Sequence, residues 1–83
     1  MKVEVRYFAS LREALGGAEA IEVDAGASVG ALRDALAARG GRHGEVLGRQ
    51  KAVRSALNRV LCADSAILRD GDEVGFFPPV TGG

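Results

Sequence analysis

The stretch DGDEVGFFPPVTGG, residues 70–83, combines a turn, an apolar strand and a strand stop in immediate succession. Asp70-Gly71-Asp72 is a strong turn signal, because aspartate hydrogen-bonds to nearby backbone and glycine adopts positive φ without a steric penalty. The following residues, Glu73 to Phe77, are typical of a final β-strand. Proline cannot continue a sheet, so Pro78 and Pro79 should end this strand and direct the chain away from it.

The start of the chain has the alternation of a half-buried strand. Polar and apolar residues alternate from Lys2 to Phe8, which puts Val3, Val5 and Tyr7 on one face. A short helix is predicted next, with Ser10 and Glu13 as a capping box, and then a second strand over residues 19–24.

The middle of the chain predicts one main helix. Ser28 is a good N-cap, the apolar residues after it recur at helical spacing, and Gly40-Gly41 ends the pattern. Residues 41–51 contain three glycines and little periodicity, which predicts a loop. Residues 55–62 then favour one or two short strands with a turn at Asn58-Arg59.

This element order predicts an α+β fold in which one mixed sheet is crossed by one main helix, with a further short helix. With 83 residues the chain has room for a single core. We expect a domain over residues 1–77 and an extended tail over residues 78–83.

Composition restricts the classes of partner. Eleven basic and eleven acidic residues cancel, so no general attraction to nucleic acid or to an anionic membrane is expected. No run approaches the roughly 20 apolar residues that cross a bilayer. The single Cys62 and single His43 are too few for a structural metal site, and a lone cysteine with no leader pattern favours the cytoplasm. We assign Cys62 no sulfur-relay role and expect His43 to be an exposed polar residue.

Two phenylalanines are predicted on the face of the sheet opposite the core. Successive side chains of a strand point to opposite faces of the sheet. If Val5 and Tyr7 point inward, Phe8 therefore points outward, and the same alternation along the last strand points Phe77 outward. Leu61 is a further candidate, although the turn near Asn58 leaves its direction open. Exposed aromatic residues indicate a protein interface, while the alternative is that they cover a loop or fill a small second core.

The tail has the properties of a segment that another protein handles. From Pro78 to Gly83 it can reach at most ~20 Å, and Val80 and Thr81 could pair with a partner as an added strand. Gly82-Gly83 fits a channel too narrow for other residues and leaves the terminal carboxylate unhindered for adenylation. The ATP for that reaction would be bound by a separate protein, because the chain has no GxxxxGK[ST] loop. The alternative is an inert, frayed terminus.

A basic segment runs from Arg39 to Arg54, with Glu45 as its only acid. Two interpretations are open for it. It is a solvated loop, or it contacts an acidic partner.

The closing DGDEVGFFPPVTGG and the opening VRYFASLREALG, residues 5–16, resemble the small, sulfur-carrying subunit of molybdopterin synthase (MoaD-type), one of the ubiquitin-like β-grasp proteins. The resemblance extends along the whole chain. Members of that family commonly have alanine at the position of Gly75 and often serine at that of Thr81.

The resemblance implies a β-grasp fold and a carrier function with no permanently bound cofactor. An E1-like adenylating enzyme would use ATP to activate the Gly83 carboxylate, and a sulfurtransferase would supply the sulfur of the resulting thiocarboxylate. The sulfur would pass to cyclic pyranopterin monophosphate in the large synthase subunit, which holds most catalytic groups. Two small subunits would flank a dimer of large subunits in a heterotetramer. Phe8 and Phe77 match positions of the family's hydrophobic interface.

Two other functions stay open on the residues alone. One is a related carrier or modifier that serves thiazole synthesis, tRNA thiolation or isopeptide formation. The other is a β-grasp binding module with an inert tail.

Overall fold

The structure is a computed structural model that describes residues 1–79. The predicted tail residues Val80, Thr81, Gly82 and Gly83 lie outside the described residues. Within residues 1–79 the chain forms five strands and three helices, in the order β1 (Lys2–Tyr7), α1 (Ala9–Leu15), β2 (Ala18–Glu22), α2 (Val29–Ala37), α3 (Gly41–Leu47), β3 (Arg54–Leu57), β4 (Val60–Cys62) and β5 (Glu73–Phe77).

The five strands form one mixed sheet in the order β2-β1-β5-β3-β4. The first and last strands, β1 and β5, are parallel neighbours at its centre, with Val5 opposite Val74 and Tyr7 opposite Phe76. The other pairs are antiparallel. This arrangement confirms the predicted α+β class with a mixed sheet.

The core lies on one face of this sheet. Along β1 the side chains alternate between exposed and buried, as the sequence pattern predicts. The buried apolar side chains of the sheet pack with those of the helices and the β4–β5 connection: Val3, Val5, Tyr7, Leu11, Val29, Leu32, Leu36, Leu47, Leu68, Val74 and Phe76. The face of the sheet away from these residues is called the open face below.

A third helix, α3, occupies most of the segment predicted to be a loop, so that prediction was wrong. The glycines of Gly41–Leu47 gave no helical signal in the sequence. Leu47 is nevertheless fully buried, and Val46 packs against the core. Burial of these two side chains stabilises a helix that local propensity alone would not form.

The start of α1 also differs from the prediction. The N-cap position belongs to Phe8, and no side chain caps the helix. Ser10 therefore lies within the first turn, so the predicted Ser10–Glu13 capping box was wrong. The backbone carbonyl of Phe8 accepts from the N–H of Leu11 at 3.1 Å, which closes the first turn directly after β1.

The turn at Asn58-Arg59 is confirmed. Both residues have positive φ, 49° and 70°, and they join β3 to β4 as an antiparallel hairpin. The Asn58 side chain accepts from the backbone N–H of Glu73 at 3.0 Å and donates to Asp72 at 3.0 Å. These bonds attach the hairpin to the turn that precedes β5.

Arg33, on α2, is a buried cation that the sequence did not reveal, with only 4% of its surface exposed. Its Nε donates to the carbonyl of Leu47 at 2.7 Å. Its Nη2 donates to the carbonyls of Gly48 and Lys51 at 2.9 and 2.8 Å. The guanidinium thus satisfies carbonyls at the end of α3 and just after it, and it holds the chain between α3 and β3 against α2.

Half-buried Glu19 joins three other polar side chains at the edge of the sheet. Tyr7 Oη donates to its carboxylate at 2.8 Å, Arg39 donates at 2.9 Å, and His43 Nε2 lies at 3.0 Å. Partial burial acts to raise the pKa of Glu19, but the hydrogen bonds from His43, Arg39 and Tyr7 outweigh it and lower the pKa to about 2. His43 is therefore a half-buried partner of Glu19, and the expectation that it is exposed was wrong.

We predict that Arg33→Met lowers the free energy of unfolding by about 2–3 kcal/mol, because three backbone carbonyls lose their donor while the aliphatic volume is largely kept. Urea unfolding followed by circular dichroism measures this loss. Arg42→Met is the matched control, since Arg42 is exposed and makes no side-chain hydrogen bond or ion pair within residues 1–79. Equal stability of the two variants would contradict the role given to Arg33.

A second prediction concerns acid stability. The pKa of Glu19 falls from 4.5 to about 2 on folding, so ionised Glu19 stabilises the fold above pH 4.5 and this contribution is lost as the pH falls toward 2. After allowance for solvent screening, the free energy of unfolding of the wild type should exceed that of Glu19→Gln by about 1–2 kcal/mol at neutral pH. Urea titrations at a series of pH values should show this difference shrinking through that window. A difference independent of pH would show that the carboxylate is not held in its ionised form.

Candidate functional site

The strand register decides which side chains share the open face. Residues opposite one another in adjacent strands point to the same side of a sheet. Gly75 of β5 lies opposite Ala56 of β3, and Ala56 lies opposite Leu61 of β4. Leu61, whose direction the sequence left open, is therefore on the open face, where 62% of its surface is exposed.

Phe8 lies on the same face, against the backbone of Gly75. A Cβ atom added at Gly75 would be only 3.0 Å from Cε2 of the Phe8 ring. The absence of that atom lets the ring approach the sheet closely and cover Gly75, which is buried although it belongs to the open face. Phe8 still exposes 44% of its surface. No local sequence pattern signals this contact, because it depends on the pairing of β1 with β5.

Phe77 completes an apolar surface at one end of the sheet. It is half-buried, on the side of β5 opposite the buried Phe76, and it lies across from Arg54. The structure thus brings together all three residues predicted to bind a partner. We call the surface formed by Phe8, Ala56, Leu61, Gly75 and Phe77 the apolar patch. Its role in binding a partner stays a prediction.

Charged side chains border this patch toward the other end of the open face. Arg6 lies 3.5 Å from Glu4 and 3.4 Å from Glu73, and Arg59 lies 3.4 Å from the second oxygen of Glu73. An apolar centre beside a charged border is the usual composition of a protein–protein interface.

The tail begins at the same end of the sheet as the patch. Pro78 follows Phe77 directly and lines a groove of about 260 Å³ between α1, α3 and the chain before β3. Pro78 and Pro79 are both half-buried. The first two residues of the predicted tail therefore lie against the domain.

Cys62 does not have the environment of a reactive thiol. It is half-buried in β4, where it lies opposite Ser55. Burial, and then the nearby charge of Asp64, raise the pKa of the Cys62 thiol, which disfavours the nucleophilic thiolate.

Residues 1–79 contain no cluster of three or more His, Cys, Asp or Glu side chains arranged to hold a metal ion. None of the helices in this part of the chain has the length and apolar character that crossing a membrane requires.

Comparison with known proteins gives a consistent result. The sequence model of the ThiS family matches residues 5–83. The molybdopterin synthase sulfur carrier subunit of Escherichia coli strain K12 is 45% identical over 82 residues, which cover 98% of this chain and 99% of that protein. Small archaeal modifier protein 3 of Haloferax volcanii is 37% identical over 92 residues, which cover 100% of this chain and 100% of that protein.

A solved structure supports the same relationship. It is the complex of subunits 1 and 2 of molybdopterin-converting factor from Helicobacter pylori, one chain of which superposes with a TM-score of 0.71 at 32% identity. The superposition covers 100% of both chains. The fold is therefore the ubiquitin-like β-grasp fold that the sequence predicted. The chain belongs to the ThiS family, together with the molybdopterin synthase sulfur carrier subunits.

Proposed function

We propose that this protein is the sulfur carrier and small subunit of a molybdopterin synthase. The observation that carries the proposal is the position of the apolar patch, which adjoins the start of a Gly-Gly tail in a chain 45% identical to such a subunit. A partner that covers Phe8, Leu61 and Phe77 would receive the tail at the edge of the same contact.

The reactive group is the carboxylate of Gly83, and its chemistry needs a separate enzyme. A carboxylate oxygen attacks the α-phosphate of ATP and displaces pyrophosphate, giving an acyl adenylate. Hydrosulfide-level sulfur supplied through a sulfurtransferase then attacks the acyl carbon, displaces AMP and leaves the thiocarboxylate. The ATP site belongs to an E1-like adenylating enzyme, because the chain has no phosphate-binding loop of its own.

The large synthase subunit is the second partner. It would hold cyclic pyranopterin monophosphate and most catalytic groups, in a heterotetramer of two large and two small subunits. Pro78 and Pro79 would start the tail in extended geometry, and Val80, Thr81 and Gly82 would thread it toward the substrate. We place this assembly in the cytoplasm, with no cofactor bound permanently to the small subunit.

One alternative has a specific observation in its favour. The similarity to small archaeal modifier protein 3 suits a modifier whose activated glycine forms an isopeptide bond with a lysine. A modifier would be recovered as higher-mass conjugates, whereas a dedicated carrier would be recovered as the free chain with oxygen replaced by sulfur at its terminus. Intact-protein mass spectrometry of material from its own cells separates the two, and a chain with neither change would favour an inert tail.

We predict that protein bearing a Gly83 thiocarboxylate, mixed with the large subunit and cyclic pyranopterin monophosphate, yields the dithiolene product. The unmodified carboxylate form is the matched control and should yield none. Product is measured by chromatography after conversion to a fluorescent derivative. No product with a large subunit that is active with another carrier would overturn the proposed function.

Deletion of Gly83 should abolish this transfer and leave the melting temperature nearly unchanged. The buried core of residues 1–79 extends from Val3 to Phe76, and a terminal glycine has no side chain to pack, so little stability should be lost with it. A fall of many degrees would mean that Gly83 supports the fold itself.

Adjacent residues of β4 test the apolar patch. Leu61 and Val60 expose 62% and 68% of their surfaces, but alternation along the strand puts them on opposite faces. Leu61→Asp should weaken binding to the large subunit by at least tenfold, because it places a charge in a dry interface. Val60→Asp should change the affinity by less than twofold. Calorimetric titration measures both affinities, and equal effects would show that the open face is not the interface.

A further inference from the structure

The structure resolves the basic segment into residues with different roles. Its cations are Arg39, Arg42, Arg49, Lys51 and Arg54. Arg39 is paired with Glu19 at 2.9 Å. Arg49 is paired with Asp34 at 2.8 Å and with Asp64 at 2.6 Å, and these contacts raise its pKa. The charges of these two arginines are therefore already paired within the chain.

Lys51 and Arg54 are in a different situation. Both are exposed, and neither side chain makes a hydrogen bond or an ion pair within residues 1–79. Within this part of the chain each therefore presents an unpaired cationic side chain to solvent, where it can act on an approaching protein.

Both residues stand beside the start of the tail. Arg54 lies opposite Phe77 in the sheet, on the open face next to the apolar patch. Lys51 lines the groove that Pro78 also lines. The backbone of Lys51 is held in place because its carbonyl accepts from the buried Arg33 at 2.8 Å. The two cations thus stand near Phe77 and Pro78, where the predicted tail begins.

We propose that Lys51 and Arg54 form a cationic collar that docks on acidic side chains at the entrance of the partner's tail-binding channel. The inference rests on the proposed function and adds the chemistry of the partner at one place. The partner is a protein with Asp or Glu residues around the opening that receives the tail. Arg54 adjoins the apolar patch on the open face, and Lys51 lines the groove beside Pro78, so the two cations flank the start of the tail.

Such a collar would act mainly on the rate at which the two proteins associate. Opposite charges around the channel orient the carrier so that the tail faces the opening before the apolar surfaces meet. The collar should therefore raise the association rate and make it dependent on salt, while burial of the apolar patch sets the dissociation rate.

The test measures association of the whole carrier with the large synthase subunit by stopped flow, from about 20 to 200 mM salt. The double variant K51E/R54E should associate at least tenfold more slowly at low salt and lose most of the salt dependence. The control R42E/R69E makes the same change in net charge. Arg42 lies on α3 and Arg69 in the turn before β5, and both are exposed. The control should stay within about threefold of the wild type.

A second measurement locates the acidic side chains. Carbodiimide joins a lysine amine to a carboxylate in direct contact with it, so Lys51 should crosslink to an Asp or Glu of the large subunit. Lys51→Arg keeps the charge but has no primary amine at this position. It should keep the association rate and lose the crosslink, which mass spectrometry of the digested complex detects.

The outcomes separate the two proposals. If the wild type binds the large subunit and K51E/R54E behaves like the control, the collar is wrong and the proposed function stands. If the unmutated carrier, correctly folded by circular dichroism, does not bind a competent large subunit, the proposed function falls and the collar falls with it. Unchanged melting temperatures of both double variants show that an altered rate reflects charge and not folding.

Discussion

The parallel pairing of β1 with β5 is the constraint on which the rest of the structure depends. It joins the two ends of the domain at the centre of the sheet, with Val5 beside Val74 and Tyr7 beside Phe76. These four side chains are almost completely buried and pack under the helices. Because successive side chains of a strand alternate, burial of this set turns Phe8 and Phe77 toward the opposite face. The same pairing thus builds the core and the surface proposed to bind the partner.

Gly75 shows how closely these two results are connected. Its missing Cβ lets the ring of Phe8 lie on the sheet and join the apolar surface that continues through Ala56 to Leu61. Phe77 then leads directly into Pro78, so the surface and the start of the tail occupy the same end of the molecule. In the proposed function, recognition of the domain and delivery of its terminus would be parts of one contact.

The charges of the protein serve two separate purposes. Glu19, Arg33 and Arg49 bind groups of the same chain and hold the helices to the sheet and its connections. Lys51 and Arg54 have no such role within residues 1–79, and they stand where the tail begins. A protein with zero formal net charge therefore presents a local positive field where a partner would approach.

The sequence alone determined the features that depend on neighbouring residues. The alternation in β1, the turn at Asn58 and the Pro78-Pro79 stop each follow from local geometry, and together they predicted the mixed sheet. The resemblance of the whole chain to a known family predicted the β-grasp fold.

Tertiary structure alone decided what depends on contacts between distant residues. Helix α3 forms because Leu47 is buried, Leu61 joins the patch through its register with β3, and the basic segment divides according to which acids lie within reach. None of these contacts follows from sequence spacing, since the partners come from separate elements of the folded chain.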